Sequence, residues 1–313
     1  CLLISFKVLL LNILIIVTFP ILLVQGLLVR KKTLKLPEPT GKRVGCCQCA
    51  SNVPNKVHLK GDAHSGVPVS CQKMKAPLAL LIAGDSAAAG VGVSTQEQAL
   101  SGWLINSLSE NFCVNWELKA KTGVNSTDLL SMLQRAKPNL DPTYYANSTS
   151  LSTITSTHSF DTPLQCRSFD VAVISIGVND VTGFTSWRRW RSNVTQIIEI
   201  LKARYQCRLV VFTALPPMHE FPALPQPLRW VLGQRAKYLN TALLKLVNKY
   251  HGVNVLTLTL NPIGNDQSDN TLKYMAEDGF HPQVAGYQLW SNAVVKLVNE
   301  ELDELVGKNS NVG

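Results

Sequence analysis

Acidic side chains are the scarcer charge in this 313-residue sequence: 21 Asp and Glu stand against 30 Lys and Arg, a formal net charge of +9. A basic surplus of that size can draw nucleic acid or an anionic surface. The other marks of a nucleic-acid module are missing, because aromatic residues make up only 7% of the chain and no basic stripe is interleaved with them. The basic residues are dispersed except for Arg30, Lys31, Lys32 and Lys35, which follow a long apolar run. No nucleic-acid partner is expected.

A clean disulfide framework is missing too. There are eight cysteines, and setting Cys1 aside leaves an odd number. Cys46, Cys47, Cys49 and Cys71, with His58 and His64 between them, offer thiolates and imidazoles at short spacing, but the spacing fits no zinc finger or ribbon. The cluster reads as a poorly ordered or partly disulfide-bonded connector, and no metal is expected.

The apolar run itself, from Val8 to Val29, is interrupted only by Asn12, Thr18, Pro20, Gln25 and Gly26 and is long enough to cross a bilayer as a helix. It is long for the core of a cleaved secretory signal, and basic residues follow where a small-residue cleavage site would stand. Residues 1–30 are therefore expected to be a single-pass membrane anchor or an uncleaved signal. The basic residues on its far side point to a cytoplasmic-facing domain. Since the sequence begins with Cys1 rather than Met, charges upstream enter that balance, and the extracytoplasmic side stays open.

Residues 31–76, rich in Pro, Gly, Lys, Cys and Ser, read as a linker. A globular domain is expected over 77–306, with a tail over 307–313. Within the domain, short apolar runs alternate with helical patterns. Strands are expected at Leu78–Ala83, Phe112–Ala120, Phe169–Ile176, Arg208–Ala214 and Val253–Leu258. Helices are expected at Ser126–Lys137, Trp187–Tyr205, Leu239–Tyr250 and Pro282–Leu305. Such alternation implies right-handed crossovers and a parallel sheet covered on both faces. The Ser/Thr-rich stretch 138–167 reads as a surface insertion. On the helix at Trp187, the residues Trp187, Trp190, Val194, Ile197, Ile198 and Leu201 share one face and are expected in the core.

In an open parallel sheet, ligands gather beyond the carboxyl ends of the strands, and the distinctive residues fall there. Gly84-Asp85-Ser86 follows the first expected strand, Gly123 the second and Gly177-Val178-Asn179-Asp180 the third. Asp278-Gly279-Phe280-His281-Pro282 precedes the last helix. A serine hydroxyl needs a base to take its proton during attack on a carbonyl. His281 can be that base, held in one tautomer by Asp278 three residues earlier. The tetrahedral intermediate needs fixed donors, for which the N–H groups of Ser86 and Gly123 and the side-chain amide of Asn179 are available. Asp85 and Asp180 are expected to fix their own loops by accepting backbone hydrogen bonds.

These four blocks, in this order, resemble those of the SGNH hydrolases, also called GDSL lipases and esterases, over roughly Leu78 to Leu305. The resemblance implies a three-layer α/β/α, flavodoxin-like fold with a mainly parallel five-stranded sheet, preceded here by the N-terminal membrane helix. It implies Ser86 as nucleophile and first oxyanion donor, Gly123 and Asn179 as the other donors, and Asp278 and His281 as the rest of a triad, with no metal or organic cofactor. The first block departs from its commonest form, with Ala87 where Leu often stands. Ala88 occupies the second position after the serine, so this is not the G-x-S-x-G elbow of α/β-hydrolases. The expected partner is a lipid or small-molecule carboxylic ester. Deacetylation of a glycan or thioester hydrolysis at the same site stays open, as does a membrane-tethered binding module without turnover. The Pro-rich segment Pro216 to Trp230 is expected either to line an acyl pocket or to be a structural loop. The sequence indicates no oligomeric state.

Overall fold

The computed structural model describes residues 2–46, 75–135, 168–257 and 273–310, with the side chains of 17–302 within those ranges. Six strands form one mixed sheet: β1 (Val44–Cys46), β2 (Ala76–Gly84), β3 (Phe112–Ala120), β4 (Val171–Ser175), β5 (Leu209–Thr213) and β6 (Val253–Leu256). Their spatial order is β1-β3-β2-β4-β5-β6. Every pairing is parallel except that of β1 with β3, where Val44 faces Glu117 and Cys46 faces Asn115. The sheet thus has one strand more than the five expected, and the extra edge lies inside the segment read as linker. Three residues carry too little pattern to announce a strand. Their pairing with β3 makes the strand.

The chain alternates sides because β2 buries both of its faces. Leu81 and Ala83 belong to one core with Phe169, Ile174, Phe212 and Trp190. Leu78, Leu80 and Ile82 belong to the other, with Leu104, Val114, Tyr287 and Trp290. A strand covered on both faces is a continuous apolar run rather than an alternating one.

The described α-helices are α1 (Leu2–Lys32), α2 (Ser86–Ala89), α3 (Leu100–Leu108), α4 (Ser126–Arg135), α5 (Val178–Thr182), α6 (Trp187–Ala203), α7 (Leu228–Val247) and α8 (Val284–Ser310). The helix expected from Leu239 begins eleven residues earlier, at Leu228; the prolines at 222, 225 and 227 hide its start in a turn-like composition. On α6, Trp190, Val194, Ile197, Ile198 and Leu201 are buried as expected, whereas Trp187 is 43% exposed. Trp187 occupies the first turn, beyond the edge of the core it was assigned to.

The expected anchor is helical along α1. Among the described residues, no helix is long and apolar enough to cross a membrane. The insertion 138–167 and the cluster Cys47, Cys49, Cys71, His58 and His64 lie outside the described residues.

Because β3 lies on one side of β2 and β4 on the other, the connections diverge at the β2/β4 boundary. That divergence opens a crevice at the carboxyl ends of the two strands.

Candidate active site

The turn that carries Ser86 is set by Gly84. Gly84 has φ +152, and a Cβ there would lie 1.8 Å from the carbonyl oxygen of Ser175, so no other residue lets the end of β2 pass β4 this closely. The N–H of Asp85 donates to that same oxygen at 3.0 Å. Asp85 then caps α2, its Oδ1 accepting the N–H of Ala87 at 3.1 Å. The result presents Ser86 at the first turn of a four-residue helix above the sheet.

His281 arrives from the opposite wall on a tightly closed loop. The N–H of Ala276 donates to the carbonyl of His281 at 2.7 Å, and the N–H of Gln283 donates to that of Tyr274 at 3.0 Å. Asp278 Oδ1 accepts the N–H groups of Phe280 and His281 at 2.9 and 3.0 Å. Its Oδ2 pairs with His281 Nδ1 at 2.6 Å, and His281 Nε2 lies 2.8 Å from Ser86 Oγ. With Nδ1 donating to the carboxylate, Nε2 is left as the acceptor for the serine proton. The side chain of Asp278 is only 1% exposed. Burial pushes its carboxyl pKa up, but the hydrogen bonds from the His281 ring and from the two backbone N–H groups outweigh this and hold it below the usual range. It is therefore an anion at neutral pH, beside the ring that must become a cation.

The loop that holds Gly123 is tied to α5, which holds Asn179. Asn179 Nδ2 donates to the carbonyl of Val124 at 2.8 Å, which leaves its second amide hydrogen for another acceptor. Asp180 accepts the Ser126 N–H at 2.8 Å and the Ser126 hydroxyl at 2.6 Å. Asn193 Nδ2 donates to Ser126 Oγ at 2.8 Å and to Thr127 Oγ1 at 2.9 Å. Gly123 has φ +84, a left-handed conformation that exposes its N–H in the turn. The backbone N–H groups of Ser86 and Gly123 have no protein acceptor among the described residues.

Both neighbouring acids are buried. Asp180, fully buried, has its pKa raised by burial, with the Ser126 hydrogen bonds pulling the other way. Asp85, 1% exposed, is pushed up to about 7 by burial, against the opposing Ala87 N–H and the nearby His281. Asp85 braces its own loop, as expected from the sequence, whereas Asp180 accepts from Ser126, 54 residues away, and ties its helix to the start of α4 instead of accepting from the backbone of its own loop. Asn193, which begins an Asn-Val-Thr glycosylation triplet, is 6% exposed with its amide committed inside the fold, so no glycan can be attached there in the folded state.

A pocket of about 100 Å³ opens beside Ser86 and His281, walled mainly by Val178, Pro216, Pro217, Phe221, Phe280 and Trp290. Pro216, Pro217 and Phe221 come from the Pro-rich segment whose role the sequence left open. Phe221 meets Phe280 edge-on, with ring centroids 5.0 Å apart. Val178, Phe280 and Trp290 were not singled out from the sequence. The first two flank site residues, and that adjacency was the available signal; Trp290 gave none beyond helix periodicity. Among the described residues no group of His, Cys, Asp and Glu is arranged to hold a metal ion.

A family model for the GDSL-like lipase/acylhydrolases matches residues 82–289. A comparison with curated proteins gives no match. Similar solved structures include a lipase from a goat rumen metagenome, at 18% identity over 69% of this chain and 95% of that one, TM-score 0.46. The psychrotrophic esterase EstA from Pseudoalteromonas sp. shares 14% identity over 72% and 98%, TM-score 0.47. A family 3 carbohydrate esterase from Clostridium thermocellum shares 15% over 73% and 98%, TM-score 0.47.

Proposed function

Because the chain belongs to the GDSL-like lipase/acylhydrolase family, an ester-hydrolysing family, we propose that it cleaves carboxylic esters through an acyl-enzyme on Ser86. The observation that carries this reading is the relay from Ser86 Oγ through His281 to Asp278, at 2.8 and 2.6 Å. Ser86 Oγ attacks the ester carbonyl as its proton passes to His281 Nε2, and Asp278 stabilises the imidazolium. The tetrahedral oxyanion is received by the N–H groups of Ser86 and Gly123 and the unused amide hydrogen of Asn179. Collapse breaks the bond to the alkoxy group, which leaves with the proton returned by His281. Water, deprotonated by the same ring, then releases the acid and regenerates Ser86.

The acyl group sits in the apolar pocket. At about 100 Å³ the pocket is smaller than the roughly 150 Å³ cavity that holds a benzene ring. That size supports a second reading within the same chemistry, a preference for acetyl and other short acyl groups.

The domain is also proposed to be membrane-anchored through α1. Cys113 is disulfide-bonded, and disulfides persist in oxidising compartments, which favours the extracytoplasmic side over the cytoplasmic side that the basic cluster suggests.

A fluorophosphonate probe tests the nucleophile. The wild-type chain should be labelled stoichiometrically and Ser86→Ala not at all; a folded wild type that resists the probe, or labelling that survives the substitution, sinks the assignment. A series of aryl esters of increasing acyl length should show turnover falling beyond about four carbons, and a profile rising with length removes the short-acyl reading.

A further inference from the structure

Helix α1 is packed against the domain with its polarity inverted. Leu22 is buried and Val29 packs against the core, but the residue that fixes the helix is polar. Gln25 Nε2 donates to the carbonyl of Gln226 at 2.6 Å, and its Oε1 accepts the N–H of Leu228 at 3.1 Å. The apolar side chains point away from the protein: Phe19, Ile21, Leu23, Val24, Leu27 and Leu28 are 46–60% exposed. A helix that turns its amide inward and most of its large apolar side chains outward is built for an apolar surround.

The surround is identified by what flanks the face. Arg30, Lys31 and Lys32 end the helix and Lys35 follows, all exposed and without an acidic partner among the described residues. A cationic collar after an apolar stretch matches an anionic headgroup layer. Trp230, 42% exposed on the first turn of α7, donates its backbone N–H to Gln226 Oε1 and so stands beside the Gln25 clamp. An exposed Trp next to an apolar helix end is the side chain expected at a headgroup boundary. Gln25 lies five residues before Arg30, about 7 Å along the helix axis, which sets the clamped edge of the domain at that boundary.

The clamped edge is also the outer end of the pocket wall. Gln226 and Leu228 continue the segment that gives Pro216, Pro217 and Phe221 to the pocket. Arg229 ties the segment to itself, Nη2 donating to the Pro222 carbonyl and Nε to that of Leu224. The N–H of Ala223 donates to the carbonyl of Gly279, next to Asp278.

We propose that the described part of α1 is a lipid-facing helix, that its partner is an anionic phospholipid bilayer, and that the Gln25 clamp holds the pocket wall at the bilayer surface. An ester anchored in the membrane then reaches the pocket without leaving the lipid. The delivery step rests on the esterase reading of Ser86; the lipid contact does not.

The test uses the full chain reconstituted in phosphatidylcholine vesicles containing about one-third phosphatidylglycerol, with and without bromine on the acyl chains. The Trp230 signal, taken as wild type minus Trp230→Phe, should be quenched at least twofold by the brominated chains. Leu23→Asp with Leu27→Asp, and separately Gln25→Ala, should abolish that quenching. Both should lower turnover of a bilayer-embedded ester at least tenfold, with turnover of a water-soluble acetyl ester unchanged. Equal Trp230 emission in both vesicles overturns the proposal. So does a lipid-free dimer that Leu23→Asp with Leu27→Asp dissolves, which would make a second copy the occupant of the face. Embedded-ester turnover unaffected by either variant removes the delivery step. If neither ester is turned over, the Ser86 reading fails while the quenching still decides the lipid contact.

Discussion

Asp85 and Asp278 stand on either side of the same relay and titrate in opposite directions for identifiable reasons. Asp278 gains three hydrogen bonds from the loop it lies on, so its ionised form stabilises the fold, and that stability is lost as pH falls through its depressed pKa. Asp85, buried and raised to about 7 from an ordinary value of 3.8, holds its proton more tightly folded than unfolded. Its contribution is complete below pH about 4 and is lost as pH rises through about 7. Asp85→Asn keeps an acceptor for the Ala87 N–H and removes the titration. The melting temperature of wild type relative to that of the variant should therefore fall between pH 4 and 7, and a constant difference by calorimetry would refute the assignment. The residues of the relay could be singled out in the sequence because each belongs to a block of three or more residues, Ser86 after an apolar run and Asp278 and His281 just before the last helix. The burial of Asp85 was not, because it depends on how closely β4 passes Gly84, a contact between residues 91 apart.

Helices α4, α5 and α6 meet through Ser126, Asp180 and Asn193, one hydroxyl, one carboxylate and one amide with every bond directed inward. Helices α4 and α6 followed from periodicity, whereas the five-residue α5 was read only as a loop after the third strand. The triangle did not, because each corner is a small polar residue that on its own helix looks like an ordinary cap or a surface position. Its consequence is that the loop holding Gly123 and the helix holding Asn179 cannot move independently. Ser126→Ala removes the hydroxyl that both Asp180 and Asn193 use and leaves two buried polar groups short of a partner, at a cost of about 1–3 kcal/mol. The same change loosens two of the three donors proposed for the oxyanion, so kcat should fall about tenfold while KM for a soluble ester stays within twofold. An equal rise in KM with kcat unchanged would show that the triangle shapes the binding site instead of the transition state. Asn179→Ala, which deletes one donor outright, should cost about 100-fold or more in kcat.

The two ends of the sheet are finished differently, and this is where sequence reasoning reached least far. β6 closes one edge by parallel pairing with β5, as the alternation of strands and helices led one to expect. The other edge is closed by β1, running against β3 from within a segment whose composition reads as linker. Composition reports how a segment would behave alone, whereas β1 exists only because β3 offers an unpaired edge that natural sheets tend to cover. Cys113, in β3 beside that edge, is disulfide-bonded, while Cys46 at the end of β1 and Cys207 are free thiols. A covalent tie from β3 restricts the unfolded chain and should stabilise the domain by about 2–4 kcal/mol. Wild type should therefore melt several degrees lower in reductant. Cys113→Ser should melt at that lower temperature with or without reductant, since the bond it would lose is already gone. The extracytoplasmic placement proposed for the domain makes a further demand on the same cysteine. In chains taken from intact cells, denatured without reductant and exposed to maleimide, Cys207 should react at once and Cys113 only after reduction. Equal reaction of the two would mean that the pairing does not form in the cell, and the basic cluster after α1 would again decide the side on which the site faces.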